Sequence, residues 1–359
     1  MYASDLKINS KNALLYDLTY EKMLYEKNID ERIPNASTTK ILTAIVAYEN
    51  SNMEEVVEIG EKPPAVGGSK INLRKGDKVK MDSLMKGLLI SSGNDAAIAI
   101  AEHVGGSVEM FCELMNKKAR ELGAENTNFV TPHGLDNESH YSTARDLLVF
   151  SKYFMQIPYL SEIANTEKIA IKINDYEKEL RATNEMLFMY EGVNGIKTGY
   201  TSKAGRCLIT SIESGDRVLI SMVFGCDSKN QRTEETQKLI LYGYNNFEEV
   251  DVCERIRKKF EIRVKKAVNE KIEMSINGKR KILLKCGEKN NLRYEYQIPT
   301  VLTAPILPGS EIGKIIIYNK NEYLTELSLR APYLIKRKEI FEFFSEIIKK
   351  QNVYVEVNV

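Results

Sequence analysis

The chain has 359 residues, enough for two domains and a filled core, and 43% hydrophobic with 28% charged residues is the composition of an ordinary globular protein. A formal net charge of +1 gives no broad electrostatic basis for nucleic-acid binding. No uncharged apolar run approaches the ~20 residues of a bilayer-spanning helix, and Met1-Tyr-Ala-Ser-Asp5 lacks the basic-then-apolar order of a signal peptide.

The elements follow in chain order. Residues 13–17 and 22–26 read as two short strands around a polar turn, a hairpin. After Pro34, Ser37 opens a helical run over 38–49, with Ile41, Leu42, Ile45 and Val46 on one side. Residues 82–104 read as two helices joined at Ser91-Ser92-Gly93, 107–123 as another and 145–156 as a further one, so the stretch 37–160 is mostly helical. From about 166 the β-branched and aromatic content of strands takes over, in Lys168–Ile173, Gly195–Tyr200, Gly205–Ile212 and Arg217–Phe224. A helix from Gln237 to Phe247 closes the pattern. These elements fit one α+β domain over 1–250, with an antiparallel sheet shared by early and late strands.

Beyond this lies a small all-β domain, 251–332, with turns at Asn277-Gly278 and Pro308-Gly309. The segment 333–352 then carries Ile340, Phe341, Phe344, Ile347 and Ile348 on one helical face and Lys338, Glu339, Glu342, Glu346 and Lys349 on the other. An amphipathic helix of this kind is expected to lie in the plane of a membrane. The alternative is a core-facing helix packed on the β domain or on a partner chain. Residues 353–359 form a short tail that alternates like a strand. The 5 cysteines form no C-x-x-C pair and read as small buried thiols, and the 3 histidines show no metal-ligand spacing, so neither metal nor cofactor is expected.

Three short motifs carry the chemistry. Ser37-Thr-Thr-Lys40 sets a hydroxyl and an amine one helical turn apart on one face. A serine hydroxyl is a weak nucleophile until a base takes its proton, and a lysine serves as that base only if burial or nearby cations depress its pKa. The apolar run after Lys40 suits a buried lysine. Ser92-Gly-Asn94 interrupts two apolar helical stretches, where a hydroxyl and a carboxamide can reach a cleft. Lys197-Thr-Gly199 falls on a predicted strand, where Lys197 and Thr198 offer a charge and a hydroxyl to a carboxylate, and Gly199 leaves room for an extended peptide.

In this order and at these spacings, the trio resembles the fingerprint of active-site serine enzymes that act on D-alanyl peptides or β-lactams. Arg32-Ile-Pro-Asn-Ala-Ser-Thr-Thr-Lys40, Ser92-Gly-Asn-Asp-Ala-Ala97, Thr131-Pro-His-Gly-Leu-Asp136, Gly195-Ile-Lys-Thr-Gly-Tyr-Thr201 and Thr303-Ala-Pro-Ile extend the likeness to about 10–350. The chain is similar to low-molecular-weight penicillin-binding proteins, the serine-type D-alanyl-D-alanine carboxypeptidases. The resemblance implies a transpeptidase-like catalytic domain, a β-rich second domain and an anchoring tail. The implied work is removal of the terminal D-alanine from peptidoglycan stem peptides at the outer face of the cytoplasmic membrane, with β-lactams as inhibitors. It assigns Ser37 as nucleophile, Lys40 as general base, Ser92 as proton relay and Asn94 as the residue that binds substrate and orders Lys40. Lys197, Thr198, Gly199 and Tyr200 become the substrate strand, with Tyr200 and Ser37 giving backbone N–H groups to an oxyanion. Arg232 assists carboxylate binding, against the plainer reading of a surface arginine at a helix start. His133 is structural in this likeness. Asn35 stands where the family usually has proline.

Two other functions compete. A β-lactamase of the class A type needs a Glu-x-x-Leu-Asn segment, and the chain contains no Leu-Asn pair. A non-catalytic binder of wall peptide would not require all three motifs intact.

Overall fold

The strand β1 (Asn12–Asp17) is buried along its whole length because it lies inside a sheet rather than at its edge. It pairs on one side with β2 (Lys22–Lys27), as the predicted hairpin requires, and on the other with β9 (Arg217–Cys226), some two hundred residues later. With β7 (Val193–Thr201) and β8 (Gly205–Ser214) the antiparallel order is β2-β1-β9-β8-β7, which leaves β7 at the edge. The computed structural model describes residues 6–256, 259–276 and 278–339.

Between the early and late strands lie α1 (Lys40–Asn50), the short ribbon β3 (Val56–Glu58) and β4 (Lys78–Lys80), and the short α2 (Lys62–Ala65). Then come α3 (Met81–Leu89), α4 (Asn94–Gly105), α5 (Val108–Glu121), α6 (Ala144–Met155) and α7 (Pro158–Ala164), followed by the ribbon β5 (Lys168–Ile173) and β6 (Tyr176–Arg181). The apolar side of α1 (Ile41, Leu42, Ile45) joins Leu84, Ile100, Phe111 and Phe150 with Leu14, Ile209 and Met222 of the sheet in one buried core. The other face is covered by α8 (Lys229–Asn246), so close that a Cβ on Gly243 would lie 2.7 Å from Leu15 and 2.9 Å from Leu219. Helix α8 starts eight residues before the predicted Gln237, which brings Arg232 into its first turns.

The chain divides into two units, Met1–Asn245 and Asn246–Val359. In the second, β10 (Phe247–Asp251) pairs with β13 (Lys281–Lys285). The strands β11 (Lys259–Lys265), β12 (Lys271–Ser275) and β15 (Val301–Thr303) form one sheet, and β14 (Leu292–Gln297), β16 (Glu311–Asn319) and β17 (Glu322–Arg330) another. Strict alternation in β11 turns Phe260, Ile262 and Val264 inward onto Ile272, Met274, Ile315 and Leu329.

The predicted amphipathic helix does not begin at 333. Ile335 exchanges both backbone hydrogen bonds with Ile306 and buries its side chain in this β core, while Arg337 bridges Ala267, so residues 334–339 run extended. The remainder of that helix, 340–352, and the tail 353–359 lie outside the described residues. Four of the five cysteines are buried, and Cys286 is exposed, contrary to the expectation of buried thiols throughout.

Candidate active site

Ser37 sits in a 3-10 turn, Ala36–Thr39, that precedes α1, and not at the helix cap expected from the sequence. The turn is held from within. Thr38 Oγ1 donates to Asn35 O at 2.6 Å, and Thr39 Oγ1 donates to Ala36 O at 2.8 Å. Asn35 Nδ2 donates to Thr39 Oγ1 at 2.9 Å. His140 completes the clamp: Val130 N–H donates to its Nδ1 at 3.2 Å, so the ring proton sits on Nε2, 2.9 Å from Thr39 Oγ1. The cost of this turn is visible at Ala36, whose φ of 47° is left-handed.

The turn is also hemmed from outside. A Cβ on Gly134, itself at φ 83°, would lie 1.9 Å from Ala36 O. A Cβ on Gly199 would meet Ala36 Cβ at 3.1 Å and Ser37 N at 3.2 Å. The missing side chain of Gly199 therefore also lets β7 press against the backbone of Ser37.

Lys40 is completely buried. Its Nζ lies 2.8 Å from Ser37 Oγ, 2.7 Å from Asn94 Oδ1 and 3.1 Å from the main-chain oxygen of His133. Burial, reinforced by the cationic Lys197, holds its pKa well below that of a free lysine. A neutral amine has two N–H donors and one lone pair. Asn94 Oδ1 and His133 O can only accept, so they take the two protons and leave the lone pair for the Ser37 hydroxyl. The geometry is that of a serine poised to lose its proton to a lysine.

Asn94 is fixed in turn, its Nδ2 donating to Gly67 O at 2.6 Å and its backbone N–H to Ser69 O at 2.7 Å. Asp95 next to it accepts from Ile71 N at 2.9 Å and Leu73 N at 3.0 Å, which pins the loop that supplies Gly67. Ser92, at φ 57° in the turn between α3 and α4, is nearly buried and lines the same cavity.

On β7, Lys197 is buried, its Nζ donating to Thr198 O at 3.1 Å. Burial first, then the charge of Arg232, brings its pKa down to about 7. Thr198 Oγ1 shares a 2.7 Å hydrogen bond with Thr183 Oγ1. Tyr200 is exposed, with the Arg206 guanidinium 3.6 Å from its ring centroid. Arg232 is 3% exposed, which excludes the surface reading, and it donates to both carboxylate oxygens of Glu185 while its Nε is buried without a partner.

Ser37, Ser92, Asn94, Thr198, Gly199, Tyr200 and Arg232 line one cavity of about 850 Å³. Lys40 joins them through Ser37 and Asn94, and Lys197 through its charge on Lys40. The structure thus gathers every residue the motifs singled out. It adds the main-chain oxygens of Gly67 and His133, the ring of His140, and Glu185. The stretch Thr131–Asp136 flagged the loop of His133, but through its backbone rather than its imidazole, which is buried and pushed down to about 3. No sequence signal marks Glu185. Among the described residues no cluster of His, Cys, Asp and Glu could hold a metal ion.

Comparison with known proteins identifies the family. A family model described as D-alanyl-D-alanine carboxypeptidase matches residues 1–228, and one described as the C-terminal domain of penicillin-binding protein 5 matches 247–338. The D-alanyl-D-alanine carboxypeptidase DacF of Bacillus subtilis is 33% identical over 347 residues, covering 95% of this chain and 89% of its own length. DacC of Escherichia coli is 33% identical, covering 86% of this chain and 80% of its own. The crystal structure of penicillin-binding protein 5 from Haemophilus influenzae aligns with a TM-score of 0.74 at 28% identity, over 93% of this chain and 100% of that one. With its catalytic α+β unit, its β-rich second unit and its serine–lysine site, this chain belongs to the D-alanyl-D-alanine carboxypeptidase family, the low-molecular-weight penicillin-binding proteins.

Proposed function

We propose that the protein is a serine-type D-alanyl-D-alanine carboxypeptidase that trims the terminal D-alanine from peptidoglycan stem peptides and is acylated by β-lactams. The observation that carries this reading is the buried, pKa-depressed Lys40 with its Nζ 2.8 Å from Ser37 Oγ. Ser37 attacks the carbonyl carbon of the penultimate D-alanine, and its proton passes to Lys40. The negative charge on the carbonyl oxygen is met by the N–H groups of Ser37 and Tyr200. Lys40 returns the proton through Ser92 to the departing amine, the C–N bond breaks, and free D-alanine leaves. Water then hydrolyses the ester. Lys197, Thr198 and Arg232 hold the substrate's terminal carboxylate, and Asn94 holds Lys40 and the substrate amide.

Intact-mass measurement after penicillin treatment, with peptide mapping, tests the nucleophile. One penicilloyl adduct on Ser37 is expected; an adduct elsewhere, or none, overturns the mechanism. Release of D-alanine from a diacyl-lysyl- or diaminopimelyl-D-Ala-D-Ala peptide tests the reaction.

The chain acts outside the cytoplasm and lies on the outer face of the cytoplasmic membrane through the segment 340–352, the part of the predicted helix beyond the extended run. The support is the sequence alone: an apolar face of Ile340, Phe341, Phe344, Ile347 and Ile348 opposite charged residues. No helix among the described residues is long and apolar enough to cross a membrane. Liposome co-sedimentation of the full chain against a chain ending at 339 decides it, and equal binding by both discards the anchor.

A further inference from the structure

Two strand positions beyond Thr198, the cavity carries a cation mounted on an aromatic ring. Arg206 of β8 is the cross-strand partner of Tyr200 on β7, and its guanidinium stacks 3.6 Å from the centre of that ring. Both side chains line the cavity, Tyr200 exposed and Arg206 half-buried. Among the described residues no carboxylate pairs with Arg206. Arg232 is different, since it is ion-paired with Glu185 and belongs to the terminal-carboxylate end. Stacking uses the face of the guanidinium plane and leaves its N–H edge free to grip a carboxylate by two parallel hydrogen bonds.

The direction of the bound peptide follows from the proposed function, on which this inference rests. The terminal carboxylate takes Thr198 and Lys197, and the scissile carbonyl lies at Ser37 against Gly199 and Tyr200. The chain that precedes the scissile bond therefore continues past Tyr200, to the end of β7 where Arg206 stands. Arg181 also lines the cavity, but its guanidinium lies 4.7 Å from the centre of the Phe188 ring, away from the end of β7.

We infer that Tyr200 and Arg206 form an acyl-side subsite for a carboxylate carried on the side chain of the residue before D-Ala-D-Ala. The substrate class this selects is a stem peptide whose third residue is a diamino diacid with its side-chain carboxylate free, over one with lysine or an amidated acid at that place.

The test compares two peptides of equal length and shape, diaminopimelyl-D-Ala-D-Ala with the side-chain carboxylate free or amidated. For the native protein kcat/KM should favour the free acid by roughly 10-fold, mainly through KM, as one charge-assisted fork in a half-solvated site allows. The preference should weaken as ionic strength rises. Arg206→Gln should bring the ratio close to 1, and Arg206→Lys, which keeps the charge but not the fork or the stack, should fall between. Equal kcat/KM for the two peptides in the native protein, or a preference that survives in both variants, overturns the inference and leaves the carboxypeptidase reading intact. Cleavage of neither peptide overturns both.

Discussion

Glu185 closes both of its carboxylate oxygens on the guanidinium of Arg232, across a sequence separation of 47 residues. Thr233 Oγ1 adds a third hydrogen bond to the same carboxylate at 3.0 Å. The cation proposed to bind a substrate carboxylate is thus already met by an anion of the chain's own, partly exposed to the cavity.

Glu185→Gln keeps the shape and removes that anion. Steady-state kinetics should show KM for a D-Ala-D-Ala peptide falling roughly 5-fold, the effect of about 1 kcal/mol between charges in a partly solvated cavity. The uncompensated Arg232 should also depress Lys197 further. An unchanged or raised KM would show that Glu185 serves only to position Arg232.

Lys40→Ala removes the proposed base. Acylation by penicillin should slow by about 1,000-fold, the range for losing a positioned base beside a nucleophile. Small primary amines should restore part of the rate by entering the vacated space. Rescue should rise with pH as the added amine loses its proton; rescue that ignores pH would argue against a neutral amine as base.

Lys197 gives the basic side of the pH profile. Its pKa of about 7 means that the charge proposed to bind the carboxylate is present below that pH and lost above it. Lys40 taking up a proton gives the opposite limb, and burial and Lys197 hold that uptake well below the range of a free lysine. The ratio kcat/KM should therefore fall as pH rises through about 7, and in kcat the limb should move upward, because bound carboxylate holds the proton on Lys197. Lys197→Arg should lose the basic limb. The sign for stability is separate: the unfolded chain binds more protons at this lysine between about pH 7 and 10.5, so its contribution to stability rises with pH across that window.

His140 sets an acid limit. Burial pushes its pKa down to about 4 from 6.5, so the folded state keeps it neutral. The unfolded chain then binds the extra proton as pH falls below 6.5, and stability should drop by on the order of 3 kcal/mol by about pH 4. Thermal melts should show a shallower decline across that window for His140→Gln, which can still donate to Thr39.

Gly134→Ala tests the support of the nucleophile turn. The new Cβ would lie 1.9 Å from Ala36 O in a backbone at φ 83°, so the two segments must part. A loss of roughly 2–4 kcal/mol in denaturant unfolding is expected, with slower acylation because Ala36 leads directly into Ser37.

The α+β architecture and the antiparallel sheet were legible because local signals agree with the fold. Leu14 and Leu15 form a strand, and the spacing of Ile41, Leu42 and Ile45 forms a helix against the core. The motifs were legible because each packs a reactive side chain into three or four residues. What escaped was contact at a distance. Nothing near Lys40 in sequence announces the carbonyl of His133, and nothing near Arg232 announces Glu185. The 3-10 turn at Ser37 escaped as well, since its local hydrogen bonds are completed by a clamp from His140 and a crowding Gly134 about a hundred residues away. The extended run at 334–339 reflects the same rule, for Ile335 is captured by Ile306 before its helical periodicity can act.

The place of β1 between β2 and β9 has a consequence for how the molecule comes into being. The strand that precedes the nucleophile cannot be enclosed until residue 226 exists, and Arg232 follows later still. No partial chain ending before β9 owns a closed sheet. Such contacts between distant parts of the sequence make folding slow and late. The cavity that Ser37 lines is therefore complete only when about two hundred residues beyond it have been made.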